Sequence, residues 1–406
     1  MKMKFKKIIL VFFLSMYGSV IHLNAQTKEN EKHTQEFELE IKGEYRYFYN
    51  SAQFLGQASQ FPSIAFTPKY TIEWNKGRES VNFTGFVRFD KDKNRTHADV
   101  RELYYQKAKG NWELNIGLKK VYWGVTESNH LVDIINQTDV TESFDGEEKL
   151  GQPMVQFTWS TNKYGSFDLF YLPYHRKRTF NGEKGRLRFP TIIDKDAITY
   201  ESGAEEWRQD LAVRWSHYIG AFDIGVSHFY GNGREPLISF DPLGNLNAFY
   251  PVINQTGLDL QVTHNAFLWK LESIYRTSNM QDFAAVVVGL EYTFSNIDGN
   301  GLDIGVIGEY LYDDRDELAL SSLQNDVFFG SRIAFNDVKD TSILIGGIAD
   351  LEKSSRIFSI EASRRIGNSW KAEIEARVFS NIDTQDVLLS NFKEDSFLKF
   401  SISKFF

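Results

Sequence analysis

Charged side chains of both signs alternate with apolar ones near both ends of the chain, a spacing that could attract or sort ions. The N-terminal row contains Glu38, Glu40, Lys42, Glu44 and Arg46, and the C-terminal row contains Lys371, Glu373, Glu375 and Arg377. Every second side chain of a β-strand lies on the same face, so each row would form one charged face. Two interpretations remain open: the charges pair across strands, or they line a water-filled path.

Composition excludes several other kinds of chemistry. The chain has 406 residues and no cysteine, which excludes a disulfide framework and a thiol nucleophile. Its 54 acidic and 46 basic residues give a net charge of −8, which argues against nucleic acid as a partner because that partner needs a basic surface. None of the eight histidines and no serine lies in a recognisable catalytic motif. We therefore predict that the protein is not an enzyme and has no cofactor or metal.

The alternation recurs along the chain and indicates strands with one apolar and one polar face. The predicted strands are 36–49, 62–74, 79–90, 96–108, 111–122, 152–160, 166–174, 208–218, 222–231, 254–264, 267–276, 282–295, 302–312, 325–336, 341–352, 356–366, 370–380 and 396–406. A strand that crosses a membrane needs about 9–11 residues, which these segments have. We predict an all-β fold, a transmembrane antiparallel up-and-down β-barrel of 18 strands, with 16 strands as the alternative.

The connections between these strands alternate between short turns and long loops, which is typical of outer-membrane barrels. The longest are 123–151, 175–207 and 232–253, and we expect them at the extracellular end. Aromatic residues such as Tyr47 and Tyr122 gather near strand ends, as they do in the girdles at the two membrane interfaces. An even number of strands would place both chain ends in the periplasm.

The N-terminus has the layout of an export signal. Lysines precede an apolar run over 8–14, and the small residue Ala25 follows at a suitable cleavage point. We predict a cleaved signal peptide over 1–25 and a single barrel over 26–406 in the outer membrane of a bacterial cell. Cleavage removes four lysines and no acidic residue, which changes the net charge from −8 to −12. An uncleaved membrane anchor is the alternative.

The loop after the fifth predicted strand carries aliphatic residues that an exposed loop has little reason to contain. They are Leu131, Val132, Ile134 and Ile135. Their spacing predicts a short helix, and Ser128 or Asn129 could cap its start. Folding inward against the barrel wall would bury them and narrow a channel. The alternative is a helix that lies on the loops above the rim.

Arg101 and Glu102 alternate in direction on an ideal strand, so only one of them can face the lumen. We predict that Arg101 does, paired with a loop carboxylate such as Asp133 or Asp139. An arginine that only holds the loop in place is the alternative. The full set of candidate constriction and lumen residues is Arg101, Lys119, Asp133, Asn136, Asp139, Arg46, Glu373, Glu375 and Arg377.

Residues 100–140 carry a resemblance to a known family. The motifs are Arg101-Glu102-Leu103-Tyr104, Trp112-x-Leu114-x-x-Gly117, Trp123-Gly124 and Asp133-x-x-Asn136-x-x-Asp139. This order resembles porin-like outer-membrane barrels of Gram-negative bacteria, distantly the alginate-export and carbohydrate-porin types. Gln137 stands where that family has proline. The last strand, which ends in Phe406, resembles the C-terminal strand that the barrel assembly machinery recognises.

The resemblance implies a channel or an exporter. We expect passive passage of small hydrophilic solutes, narrowed by the loop after strand five; the alternative is a non-conducting barrel that acts as a structural or assembly and export subunit. Membrane lipid and lipopolysaccharide are the expected surroundings, and the basic residues within 175–207 could bind lipopolysaccharide phosphates. Acidic residues between Asp133 and Glu148 lie near the expected constriction, so we predict a weak preference for cations.

Overall fold

Eighteen antiparallel strands form one sheet in the part of the chain that the structure, a computed structural model, describes: residues 33–240, 245–315 and 323–406. The signal peptide predicted over 1–25 lies outside the described residues. The strands are β1 (His33–Phe48), β2 (Gln60–Trp74), β3 (Glu79–Phe89), β4 (His97–Lys109), β5 (Trp112–Lys119), β6 (Gln152–Thr161), β7 (Gly165–Leu172), β8 (Asp210–Ile219), β9 (Phe222–Asn232), β10 (Val252–His264), β11 (Phe267–Ser278), β12 (Phe283–Ile297), β13 (Leu302–Asp313), β14 (Asn325–Ala334), β15 (Ser342–Asp350), β16 (Arg356–Ile366), β17 (Trp370–Ser380) and β18 (Phe397–Phe405).

The sheet closes on itself. Each strand pairs with the next along the chain, and β1 pairs with both β2 and β18, for example Tyr45 opposite Pro62 and opposite Phe400. Closure leaves no sheet edge with unpaired backbone groups, which a membrane requires. The predicted all-β barrel of 18 strands is confirmed. No helix of the described residues is long and apolar enough to cross a membrane.

Side chains alternate between the two faces of the barrel wall, as the period of two requires. On β1, Tyr45 and Tyr47 point outward and are 41% and 40% exposed, whereas Glu44 and Arg46 point inward and are buried. The outward face would meet lipid, where a charge near the middle of the bilayer is costly. The charged rows found in the sequence therefore lie inside the barrel.

Short turns lie at one end of the barrel and long loops at the other. Asn75, Asn265, Asn296 and Asn336 lie in the short turns with φ between 49° and 54°, a region that asparagine tolerates better than most residues. At the other end, residues 120–151, 173–209, 233–251 and 381–396 connect strands in long loops. The turn asymmetry read from the sequence is therefore present.

Two of the long loops fold on each other. Thr199–Tyr200, Leu237–Phe240 and Leu246–Tyr250 form a small sheet of three strands outside the barrel wall. Its apolar side chains share one core, made by Ile193, Ile198, Leu246, Ala248 and Tyr250. We call residues 173–209, 233–240 and 245–251 of these loops the outer cap. Because the cap has its own core, its backbone is held in place at the mouth of the barrel.

Candidate functional site

The loop 120–151 folds into the barrel. Val132, Ile134 and Ile135 are buried in a cluster with inward-facing residues of the wall. The wall residues of this cluster are Met154, Phe170, Leu172, Ala212, Phe229, Ile253, Ile274, Phe283 and Ala285. The predicted burial of the aliphatic residues against the wall is therefore found. The predicted helix is wrong, because residues 128–135 form turns and irregular backbone.

Wall carboxylates explain why no helix forms there. Oε1 of Glu272 on β11 accepts hydrogen bonds from the backbone N–H groups of Val125 (2.7 Å) and Thr126 (3.0 Å) and from the Thr126 hydroxyl (2.7 Å). Its Oε2 accepts one from the N–H of Val132 at 3.2 Å. Glu272 is fully buried. These donors satisfy a buried charge, which holds the segment in an irregular conformation.

A second wall carboxylate binds the neighbouring part of the loop, and we call Glu272 and Glu309 together the clamp. Glu309 on β13 accepts hydrogen bonds from the backbone N–H groups of Glu127 (2.7 Å) and Ser128 (2.8 Å) and from the Ser128 hydroxyl. The carboxylate of Glu127 in turn pairs with Arg332 on β14. Sequence reasoning missed Glu272 and Glu309. The available signal at Glu309 was a lone acid between the inward-facing Ile307 and Leu311, since such a charge needs donors from elsewhere.

Gly124, in the Trp-Gly pair noted in the sequence, lets the loop come close to this clamp. Its φ is 127°, and a Cβ there would lie 2.8 Å from Oε1 of Glu272 and 2.6 Å from Nδ1 of His130. Any other residue would therefore push the loop away from the wall. The preceding Trp123 is buried and packs edge-on against Phe170 with ring centroids 5.6 Å apart.

Arg101 pairs with Asp139, one of the two partners that the sequence suggested. The guanidinium lies 2.6 Å from Oδ2 of Asp139, and both side chains are buried. The hydroxyls of Thr141 and Thr179 each donate to Oδ1 of Asp139 at 2.7 Å. Burial raises the pKa of Asp139, but Arg101 and these donors outweigh it and lower the pKa below its usual value.

A β-bulge overturns the expectation that only one of Arg101 and Glu102 can face inward. Thr84 pairs with Glu102 and Gly85 with Val100, so Arg101 is an extra residue on β4. A bulge places two successive side chains on the same side of a strand. Both therefore contact the loop: Arg101 binds Asp139, and Oε1 of Glu102 accepts a hydrogen bond from the Lys120 N–H at 3.2 Å.

The outer part of the loop contacts the opposite side of the barrel. Arg88 on β3 lies 2.8 Å from the Glu142 carboxylate, and Arg377 on β17 lies 3.1 Å from that of Asp145. The Arg46 guanidinium on β1 lies 3.5 Å from the carbonyl oxygen of Glu142. Since Glu272 and Glu309 hold the other end of the loop on β11 and β13, the loop runs from one wall to the other.

Asn136, Asp133 and Lys119 lie at the base of the loop. The Asn136 side chain accepts a hydrogen bond from the Val121 N–H at 2.8 Å and donates to the carbonyl oxygens of Lys119 and Leu150. Asp133 lies 3.4 Å from the Lys149 amine. The Lys119 amine points along the inner wall and donates to Gln156 at 3.1 Å. Asn136 therefore closes the base of the loop.

The two charged rows form salt bridges with each other and with neighbouring side chains on the side of the loop that faces the short turns. Lys42 lies 2.5 Å from Glu373, which also lies 2.8 Å from Lys371, and Glu375 pairs with Lys399. The salt-bridge interpretation therefore holds for these residues. Five of the candidate residues belong to the loop or contact it: Arg101, Asn136, Asp139, Arg46 and Arg377. Glu373 and Glu375 do not contact the loop. The role of the candidate residues at a constriction stays a prediction.

His130 adds a positive charge to the clamp. Its Nδ1 lies 3.6 Å from Glu272 and its Nε2 lies 3.4 Å from Glu147. Burial lowers the pKa of His130, but the two carboxylates outweigh that effect and raise the pKa to about 10. At neutral pH the imidazole is therefore protonated.

The basic residues of the loop 173–209 serve mainly internal contacts. Arg176 lies 2.8 Å from Asp99, and the buried Arg186 lies 2.5 Å from the buried Asp395. His175 is also buried, and its pKa lies well below its usual value because of burial and the nearby Arg234. Binding of lipopolysaccharide phosphates by this loop stays a prediction.

A cavity of about 670 Å³ lies on the other side of the loop 120–151, toward β14–β17. Its wall includes Phe328, Leu344, Ser359 and Arg377, and residues of the outer cap also line it. One row of inward-facing positions across this wall is small: Gly330 is opposite Gly346, which is opposite Ser359. The Phe328 ring lies over the two glycines, since a Cβ on either would meet it at 2.6 or 2.4 Å.

Known proteins match this chain in fold. No family model matches it, and no curated protein does. It is similar to OccK3 (OpdO) of Pseudomonas aeruginosa, at 8% identity and a TM-score of 0.52, over 92% of this chain and 95% of that chain. It is also similar to Wzi of Escherichia coli, a carbohydrate-binding barrel involved in group 1 capsule assembly. The identity is 10% and the TM-score is 0.52, over 91% of this chain and 84% of that chain.

A mutant of the Rhodopseudomonas blastica porin is a further match, at 10% identity and a TM-score of 0.43, over 92% of this chain and 100% of that chain. Within residues 33–240, 245–315 and 323–406, no group of three or more His, Asp or Glu side chains could hold a metal ion. The closed 18-stranded sheet and its apolar outer face are those of a bacterial outer-membrane barrel, and the chain has the porin-like form of that fold.

Proposed function

We propose that the protein is a channel through which small hydrophilic solutes pass passively across the outer membrane. The loop 120–151 narrows the channel, and the path runs between that loop and β14–β17. One observation carries the proposal: the loop is fixed to both walls, yet a cavity of about 670 Å³ remains beside it. Barrels of about 16–18 strands are wide enough to leave an aqueous lumen unless a segment fills it.

The lining of the cavity suits solutes with both polar and apolar parts. Charged groups such as Glu127 and Arg332 line the cavity together with aromatic rings such as Phe144 and Phe328. Polar groups replace part of the hydration shell of a solute, and a mixture of weak contacts lets the solute leave again. Such a lining supports passage of small solutes rather than tight capture.

Conductance of the purified protein in planar lipid bilayers tests the proposal. We expect stable, stepwise currents in potassium chloride, with one conductance level for each inserted barrel. A barrel that inserts and remains silent at every applied voltage would contradict the proposal.

The competing proposal is a non-conducting barrel that serves as a structural, assembly or export subunit of an outer-membrane complex. The outer cap favours it, because residues such as Tyr250 and Ile193 give the loops a core that could hold the mouth closed. The likeness in fold to Wzi, whose own role is in capsule assembly, is consistent with it. A silent barrel that is recovered from membranes together with the same partner proteins would support this alternative.

Export and insertion belong to the same proposal. We propose that residues 1–25 are removed on export and that the assembly machinery recognises β18 and Phe406. Phe400 and Ile402 of β18 point outward and are 46% and 47% exposed, which gives the last strand an apolar outer face. The mass of the protein isolated from membranes tests the cleavage, and removal of Phe406 should reduce the amount of folded barrel.

A further inference from the structure

The acidic side chains that line the cavity are all paired with basic ones. They are Glu127, Asp145, Glu147 and Glu361. Arg332 pairs with Glu127, His130 lies 3.4 Å from Glu147, and Arg377 lies 3.1 Å from Asp145 and 3.8 Å from Glu361. These four negative charges are therefore largely neutralised within the protein.

Two arginines of the outer cap line the same cavity without a carboxylate partner. Among the described residues, no carboxylate oxygen lies within 4.0 Å of a guanidinium nitrogen of Arg178 or Arg188. Arg178 donates instead to the side-chain oxygen of Gln137 at 3.2 Å and to the carbonyl oxygen of Arg234 at 3.1 Å. Both acceptors are neutral.

Arg188 is held in the same way and is 7% exposed. Its guanidinium donates to four backbone carbonyl oxygens, those of Phe189, Pro190, Leu55 and Glu183, at 2.7 to 3.3 Å. Its Nε is buried and has no hydrogen-bond partner. A buried donor without a partner is costly, so a ligand that reached this group would gain a contact that the protein does not supply.

Neutral acceptors orient a guanidinium but leave its charge in place. A charge in a partly enclosed cavity acts through a lower effective dielectric than a charge in open water, so it attracts counter-ions more strongly. The other basic side chains of the lining, His130, Arg332 and Arg377, all lie beside carboxylates. Arg178 and Arg188 are therefore the positive groups of the described lining without a carboxylate partner.

We infer that Arg178 and Arg188 form an oxyanion-binding subsite in this cavity and that the solutes it admits are small anions bearing carboxylate, sulfate or phosphate groups. The inference rests on the proposed function and names its substrate class. It reverses the weak cation preference expected from the sequence. That expectation counted acidic residues of the loop 120–151, whereas Asp133, Asp139, Glu142 and Asp145 each have a basic partner.

Reversal potentials across a potassium chloride gradient test the inference in planar bilayers. For the natural protein we expect chloride to be about two to four times as permeant as potassium, because the two arginines without carboxylate partners lie in the proposed path. The double variant R178Q/R188Q should bring the ratio to about one or below. The matched control K184Q/K195Q removes two exposed charges of the same loop that do not line the cavity, and it should leave the ratio unchanged.

The variant R178K/R188K separates charge from loop folding. It keeps both charges and loses several backbone contacts, so we expect it to retain anion preference. Cation preference of the natural protein, or a chloride-to-potassium permeability ratio that R178Q/R188Q does not change, would overturn the inference. Either result would leave the proposed channel function in place.

Sulfate titrated into the detergent-solubilised protein and followed by calorimetry provides a second readout that does not need conduction. We expect R178Q/R188Q to weaken sulfate binding by about tenfold, which corresponds to about 1.4 kcal/mol. A barrel that does not conduct but binds sulfate through these arginines would contradict the proposed channel function and support the oxyanion subsite. Absence of sulfate binding to the natural protein would overturn the subsite.

Discussion

The loop 120–151 has two sides that differ in how they meet the barrel. On one side, toward β6–β12, buried aliphatic side chains such as Val132 and Ile135 pack against the wall. On the other side, toward β14–β17, wall residues such as Phe328 and Ser359 face the loop across a cavity. We call these the packed side and the open side. One loop can therefore fill most of the interior of a wide barrel on one side and still leave a cavity on the other.

Release of the packed side should have the largest effect. The double variant E272Q/E309Q removes both buried carboxylates that hold residues 125–132, and a hydrogen bond to a charged group contributes about 1.5–3 kcal/mol. The loop should leave the wall, and single-channel conductance should rise about twofold or more, since the unobstructed lumen of such a barrel is wide. Recordings in planar bilayers measure the change.

The control for this experiment is Glu36→Gln, an exposed position near the start of β1, at the short-turn end of the barrel. It removes one carboxylate far from the loop and should conduct like the natural protein. Unchanged conductance in E272Q/E309Q would show that the packed side does not depend on the clamp.

A larger side chain on the open side should have a smaller, opposite effect. Ser359 faces the cavity on β16, and Ser359→Phe would place a ring where the wall now leaves space. We expect conductance to fall by about half, because permeation depends on the narrowest part of the path. Ile360→Phe is the matched control, since Ile360 is on the same strand but points outward and is 42% exposed. Equal loss in both variants would count against a path at this wall.

Alkaline pH should loosen the packed side gradually. The folded protein raises the pKa of His130 from 6.5 to about 10, so protonation of His130 favours the folded loop. That contribution is complete below pH 6.5 and is lost as the pH rises through about 10. Open-channel noise should therefore increase over this range, and His130→Gln should remove the dependence. A flat pH profile in the natural protein would show that His130 does not hold the loop.

Much of the fold could be predicted from the sequence, because a barrel wall imposes one rule at every position. Tyr45 and Tyr47 outside against Glu44 and Arg46 inside is a local pattern, and the same alternation recurs on other strands such as β9. The burial of Val132 and its neighbours was also predictable, since clustered aliphatic residues need a partner surface.

The contacts of the loop could not be predicted in the same way. Its conformation depends on Glu272 and Glu309, which lie more than 130 residues away in sequence, and no local pattern links them to Val125 or Ser128. The bulge at Arg101 breaks the alternation on which the strand analysis relies. The predicted weak cation preference counted acidic residues of the loop without their basic partners, because those partners become visible only when the walls are brought together.

Reaction of single introduced cysteines with a charged thiol reagent tests whether the path runs along the open side of the loop. The natural chain contains no cysteine, so each introduced thiol reports on one position. Ser359→Cys places a thiol on the open side, and Ile274→Cys places one in the packed cluster. We expect a methanethiosulfonate reagent to reduce the current through Ser359→Cys barrels and to leave that through Ile274→Cys barrels unchanged. Rapid loss of current in Ile274→Cys with none in Ser359→Cys would instead place the path on the packed side of the loop.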